Sequence, residues 1–305
     1  MEKEFKTIEQ LVELLESRNV ETDGDTAAIL RRESYYAIVN GYKDSFLDRE
    51  SMESSPGDVY KEGTTFKQIY DLFLFDRDVR SAIFPFLTKA EAIMKNAVVY
   101  AFCEAHPETE SYLDRSNYVD AKGLLLPTGF RGNRRIFWRK NLNDLMSRLN
   151  GKIGDIDKAR PFIKHYMLKY GAVPLWVLQN DLTFGNIEHF YQFQKRGVQN
   201  RASRIVGDVA GHGDRIGARD LLECFYVLVG FRNICAHGDR FYCADVRGVH
   251  ADGMLDALFK VLPVDERIAL VSSIGEVAER YVGRIDPRAL NCMYSDKGDI
   301  PEEFA

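Results

Sequence analysis

The chain has 305 residues, of which 45% are hydrophobic and 29% charged, with a formal net charge of -5. These values describe a globular chain with apolar mass for one elaborated domain or two small ones, and they exclude a disordered polyelectrolyte. They also exclude a uniformly basic nucleic-acid coat, and no run approaches the roughly 18 uncharged apolar residues that a bilayer span needs.

In chain order, the opening MEKEFKTIEQ mixes acids and bases without an apolar core, so no export signal is expected and the protein is placed in the cytoplasm. Thr7 with Gln10 three positions later has the form of a capping box, opening a helix with Ile8, Leu11, Val12 and Leu15 on one face. A second helical region runs from about Asp25 through Tyr35, Tyr36 and Ile38, pausing at Gly41. Residues 48–63 are polar, contain Pro56 and Gly57, and read as a loop. From Thr65, the residues Phe66, Ile69, Tyr70, Phe73 and Leu74 follow helical spacing. Pro85, which lacks an amide donor and crowds the preceding turn, is expected to kink or end that helix. A second half would then continue to about Phe102.

Residues 106–133 read as irregular and are a weak candidate for a linker. Helices are expected over about 134–149 and 156–170, with shorter ones at 174–178 and 186–193. Four glycines from Gly207 to Gly217 mark a turn or mobile loop. From about Ala218 a helix bearing Leu221, Leu222, Phe225, Tyr226, Leu228 and Val229 leads into FRNICAHGDRFY. A last helix is expected over about 265–282. No alternating strand pattern of useful length occurs, so the fold class is all-α, with one elaborated helical domain over 1–285 and a polar tail at 286–305. The five cysteines form no C-x-x-C pair and fit reduced thiols better than a disulfide framework or a zinc site.

Charge is unevenly distributed. Between Arg131 and Arg219 there are 17 Lys or Arg against 7 Asp or Glu, a net of +10, so the remainder sums to -15. Arg131, Arg134, Arg135, Arg139 and Lys140 surround Phe137 and Trp138, and Lys195, Arg196, Arg201, Arg204, Arg215 and Arg219 follow. Cations interleaved with aromatics can neutralise phosphates and stack on bases, which makes RNA the expected partner of this block. A solvated helix face paired with the acidic remainder is the alternative.

The stretch that reads as chemistry is Arg232-Asn233-Ile234-Cys235-Ala236-His237, an R-x4-H spacing followed by Gly238, a natural helix stop. A second R-x4-H, Arg160 to His165, opens on Pro161 and reads as an ordinary core face. Five residues of helix turn through about 500°, leaving Arg232 and His237 about 140° apart. Either the helix breaks at Gly238 and His237 swings inward, or two copies meet across a dimer axis. Cleaving RNA through its 2′-hydroxyl needs a proton acceptor, a proton donor and a cation for the phosphorane. Histidine and arginine supply these without a metal, and Asn233 could orient either one. Helix capping by both cations is the alternative.

These residues resemble the RN-x-x-AH signature of the Abi-like abortive-infection proteins, of the AbiD/AbiF type, which carry a HEPN ribonuclease domain. Tyr35-Tyr36-Ala37-Ile38-Val39-Asn40-Gly41-Tyr42 resembles the family's early YY-x-L-x-GY segment. Phe66 through Arg80, ending FLFDRDVR, is similar to its F-x-x-I-x-x-L-x-x-FDR-x-LR helix, with Glu91 beyond. Pro174-Leu175-Trp176-Val177 and Leu182-Thr183-Phe184-Gly185-Asn186-Ile187 resemble its PLW and LSFG-x-L segments. One departure is Gly238, where a second histidine is common in the family.

The resemblance implies a HEPN-like helical bundle that forms a homodimer and cleaves RNA without a metal or other cofactor, leaving a 2′,3′-cyclic phosphate. Arg232, Asn233 and His237 occupy the motif positions. The setting would be phage defence by toxicity, with a small structured guide or antitoxin RNA as a further partner. A non-catalytic RNA-binding module is the alternative function. Asp76, Arg77, Arg80 and Glu91 are expected to form buried ion pairs, or a contact that positions the motif. The repeated H-G-D-R at His212–Arg215 and His237–Arg240 is a weak metal pattern.

Overall fold

The computed structural model describes residues 4–53, 57–212 and 216–294. Twelve α-helices and several single turns account for them, with isolated bridges but no strand among the described residues. The all-α expectation holds.

Helix α1 (Ile8–Glu16) starts at Thr7, whose side chain accepts from the Gln10 amide as the capping box requires. The second helical region divides. Helix α2 (Thr26–Arg32) ends where Glu33 turns extended, and Tyr36–Asn40 form a separate wide turn. Within the 48–63 loop, Asp48 caps the single turn α3 (Arg49–Met52). Pro56 lies outside the described residues, and Gly57 within them.

The central element is α4 (Phe66–Ala105), 40 residues opened by a Thr65–Gln68 capping box. It runs through Pro85, contrary to the expected break. Pro85 sits on the exposed face, as does Ser81, whose carbonyl loses its helical partner and can turn to water. On the opposite face Ile83, Phe86, Leu87, Ala90 and Met94 are buried without interruption, so packing holds the helix together across the missing bond.

Residues 106–133 are irregular, as expected, but well anchored. Tyr112, Tyr118, Leu124, Leu125 and Leu126 are buried, and the Tyr112 hydroxyl donates to the Val173 carbonyl at 2.8 Å. Helices α5 (Arg134–Ile153), α6 (Pro161–Tyr170), α7 (Leu175–Leu178) and α8 (Phe184–Gln192) follow close to their expected places. α6 starts later than the pattern suggested because Pro161 occupies its first position.

Two helices were not expected. Helix α9 (Arg196–Ala210) packs against α4 and contains Gly207, which the glycine pattern had assigned to a loop. That helix stops at Gly211, in the left-handed region. Gly213, Asp214 and Arg215 lie outside the described residues. Helix α10 (Ala218–His237) is followed by α11 (Ala251–Val261) and α12 (Val264–Tyr281), of which α11 was missed. Helices α9, α10 and α12 flank α4, which therefore lines the core from end to end. Of the expected polar tail, residues to 294 fold back. Ala289 is buried, and the Cys292 thiol donates to the Tyr242 carbonyl at 3.3 Å.

Candidate functional site

Helix α10 stops at Gly238 as one alternative required, but His237 remains exposed in its last turn, so the inward swing of that side chain does not hold. Gly238 ends it at φ 75°, and both the Gly238 and Asp239 amides donate to the Ile234 carbonyl. His237 is exposed in the last helical turn, Asn233 is exposed, and Arg232 is half-buried against α4. Within one chain the guanidinium and imidazole point about 140° apart and cannot grip one phosphate together.

Arg232 is held by a short charge network. Its Nε lies 3.0 Å from Glu91 Oε2, an ion pair whose N–H is not aimed well enough at the oxygen for a hydrogen bond. Glu91 Oε1 also faces Lys95 Nζ at 3.6 Å, and Lys95 donates to the Leu182 carbonyl at 2.7 Å. Burial pushes the Lys95 ammonium below its ordinary range, opposed by Glu91. An open cleft of about 380 Å³ borders Glu91 and Lys95. Leu182 leads into the Thr183-capped start of α8, where a Cβ added to Gly185 would stand 3.7 Å from Val229 on α10.

A second anchor holds the chain just beyond His237. The Asp76 carboxylate on α4 is fully buried. It accepts from the Tyr242 amide at 2.6 Å, the Phe241 amide at 3.1 Å and the Tyr42 hydroxyl at 2.6 Å. Arg80 Nε lies 3.4 Å from the same carboxylate. Burial nevertheless raises the Asp76 carboxyl above its ordinary pKa, with the Tyr42 hydrogen bond, Arg80 and the two amides opposing it. Arg80 also lines the motif: a Cβ on Gly238 would come within 3.3 Å of its Nη1. Arg240 donates to the Gly41 carbonyl at 2.8 Å. Five separated segments (35–42, 66–80, Glu91, 182–187 and 232–242) thus meet around the end of α10. The expected ion pair of Asp76 with Arg80 is present and Glu91 makes a contact with the motif, through Arg232, whereas Arg77 instead meets Glu33 at 3.0 Å.

The basic block divides by location. Arg131, Arg134, Arg135, Arg139 and Lys140 are exposed on α5 and its approach. Arg134 ties down the preceding loop, donating to the Lys122 and Leu124 carbonyls. Phe137 and Trp138 face inward: Phe137 packs on Phe130 with ring centroids 5.1 Å apart, and the Trp138 indole donates to the Val119 carbonyl. These rings are committed to packing and are not free stacking platforms. On α9, Arg201 forms a two-pronged pair with Glu104 at 2.6 and 3.1 Å, and Arg204 is exposed. The basic residues that sequence reasoning left undistinguished, Arg196 and Arg219, share a cleft with Arg134.

Arg160 pairs with Asp181 at 3.1 Å, and His165 stacks edge-on among Tyr166 and Tyr170, so the second R-x4-H is scaffold. His212 Nε2 lies 3.1 Å from the Phe259 carbonyl, and Asp214 of the same H-G-D-R lies outside the described residues.

Residues 28–243 match the family model described as Abi-like protein, which spans every segment that converges on the end of α10. No curated protein and no solved structure matches the chain.

Proposed function

The chain belongs to the Abi-like protein family, which is linked to abortive infection, and from that premise we propose that it defends against phage as a metal-independent, HEPN-type endoribonuclease. The observation that carries this reading is the contrast at the end of α10. Arg232 is pinned by Glu91, whereas His237 stands exposed on an unbroken helix facing elsewhere. Such a pair becomes a complete site when a second copy brings its own arginine and histidine to the same cleft.

In that composite site one imidazole takes the 2′-hydroxyl proton as the oxygen attacks phosphorus. The other gives a proton to the departing 5′-oxygen, and a 2′,3′-cyclic phosphate remains. Imidazole chemistry suits both roles, since the ring can accept or donate a proton. The guanidinium carries the charge of the phosphorane and stays protonated throughout. Asn233, exposed between them, is placed to orient the phosphate or an imidazole.

Arg232→Ala and His237→Ala are expected to lower RNA cleavage by about 10²-fold or more and to abolish toxicity, with the fold retained. Cleavage should persist in EDTA. Full cleavage by the His237→Ala protein would end the reading. The exposure of His237 in the last turn, where a cation favours the helix dipole, also suits a helix cap. The protein would then be a binding module for a small structured RNA, and RNA would co-purify without being cut.

A further inference from the structure

At the opposite end of α10 a cleft of about 510 Å³ is walled by the 122–130 segment and by Arg134, Arg196 and Arg219. Its cations arrive from separate parts of the chain. Lys122 comes from the irregular segment, Arg134 from the first turn of α5, Arg196 from the first turn of α9 and Arg219 from the first turn of α10. Lys122, Arg196 and Arg219 are exposed, and none has an ion-pair partner among the described residues. The nearby acids are occupied. Asp220 accepts from the Gly217 amide at 3.0 Å, and Glu223 accepts from both the amide and the hydroxyl of Thr128. Elsewhere in the basic block cations do find carboxylates, as with Arg201 and Glu104, or Lys152 and Asp181. Four cations gathered in one concavity repel one another, and two of them, Arg196 and Arg219, stand in first helical turns, the positive ends of α9 and α10.

We propose that this cleft is a phosphate-recognition site for a nucleotide ligand, held by Lys122, Arg134, Arg196 and Arg219. From Arg219 to His237 α10 rises about 27 Å, so the cleft is distinct from the motif at the other end. Helix α5 connects the two regions. Arg134 at its start lines the phosphate cleft, and Arg148 near its end lines another with Thr183 and Asn186, where α8 begins against α10. A strand gripped at Arg196 and Arg219 would have a basic helix to follow towards Arg232. That placement rests on the ribonuclease reading, while phosphate binding in the cleft does not.

The test uses the full-length His237→Ala protein, so that binding is measured without cutting. Affinity for a fluorescent single-stranded RNA is read by anisotropy across a salt series. Arg196→Glu with Arg219→Glu should weaken binding at least tenfold and lower the slope of log affinity against log salt by about one or more. The neutral pair Arg196→Gln with Arg219→Gln should fall between, and as all the changes are exposed the melting curve should stay in place. Displacement of the RNA by a nucleoside triphosphate at comparable concentration would assign the phosphates to a free nucleotide, and failure to displace it would assign them to a strand. Unchanged affinity and salt slope in the Glu pair, for RNA and nucleotide alike, would overturn the proposal. Absence of cleavage by the wild-type protein, with RNA binding intact, would count against the ribonuclease reading alone.

Discussion

Replacing Asp76 isolates the anchor beyond His237, because four groups depend on one carboxylate. In Asp76→Ala, the Phe241 and Tyr242 amides and the Tyr42 hydroxyl lose their acceptor, and Arg80 loses its charge partner. Each buried donor left unsatisfied costs about 1–3 kcal/mol, and stranding one member of a buried pair costs about 3–5 kcal/mol, with overlap between these. A total near 5 kcal/mol is expected, comparable with the whole stability of many domains. Asp76→Asn should cost less, about 3 kcal/mol, because it strands Arg80 as alanine does but spares the three hydrogen bonds. Its carbonyl oxygen can still take the two amides, and its NH₂ can donate to Tyr42 once that hydroxyl rotates to accept. Relief of the burial that raises the Asp76 carboxyl offsets part of the loss. Urea unfolding with a common m-value reads both differences. An alanine protein within about 1 kcal/mol of the asparagine protein would refute the reasoning, since the donors would then have other acceptors.

Glu91→Gln leaves Arg232 and Lys95 side by side without a carboxylate. It should cost about 1–3 kcal/mol and reduce cleavage while RNA binding persists; unchanged melting and turnover would show that the network does not hold Arg232. Gly238→Ala places a Cβ at φ 75° and 3.3 Å from Arg80, so a loss of about 1 kcal/mol is expected by urea unfolding, and none would mean the turn relaxes freely. Burial raises Glu188 from its ordinary 4.5 to about 7, with Arg247 opposing. The folded state therefore keeps a proton that the unfolded chain releases. Its stabilisation is complete below about pH 4.5 and is lost as pH rises towards 7, by up to about 3 kcal/mol. Glu188→Gln should remove that part of the pH dependence, so parallel melting curves for the two proteins from pH 5 to 8 would count against a buried, protonated Glu188.

Much of this architecture was legible from periodicity. The start of α1 followed from the Thr7–Gln10 capping pair, that of α4 from apolar spacing after Thr65, and the stop of α10 from Gly238. Helix α9 was hidden because its buried face includes Gln199 and Ser203, so apolar spacing understates it. The Gln199 amide meets the Tyr191 and Gln192 carbonyls, a contact no local pattern announces. Helix α11 did carry a signal, since Ala251, Met254, Leu258 and Val261 keep helical spacing, but Gly248 before it and Gly253 within it weaken the pattern. Pro85 misled because the rule for proline concerns one lost bond, whereas the outcome depended on a buried face that spans it. At the site, the R-x4-H spacing and the acidic positions on α4 were readable as residues. That Asp76 would receive the Phe241 amide, 165 positions away, was decided only by tertiary packing.

Because Asp76 and Glu91 sit on one continuous helix, the separation of their two attachment points is fixed by residue count. Fifteen positions amount to about 22 Å, and adding or deleting a single residue between them would swing one carboxylate about 100° around the axis. Length changes during divergence are therefore barred from this stretch, even though Pro85 lies in the middle of it. Drift in length is to be sought in exposed turns such as Glu62–Gly63, where no such register has to be kept.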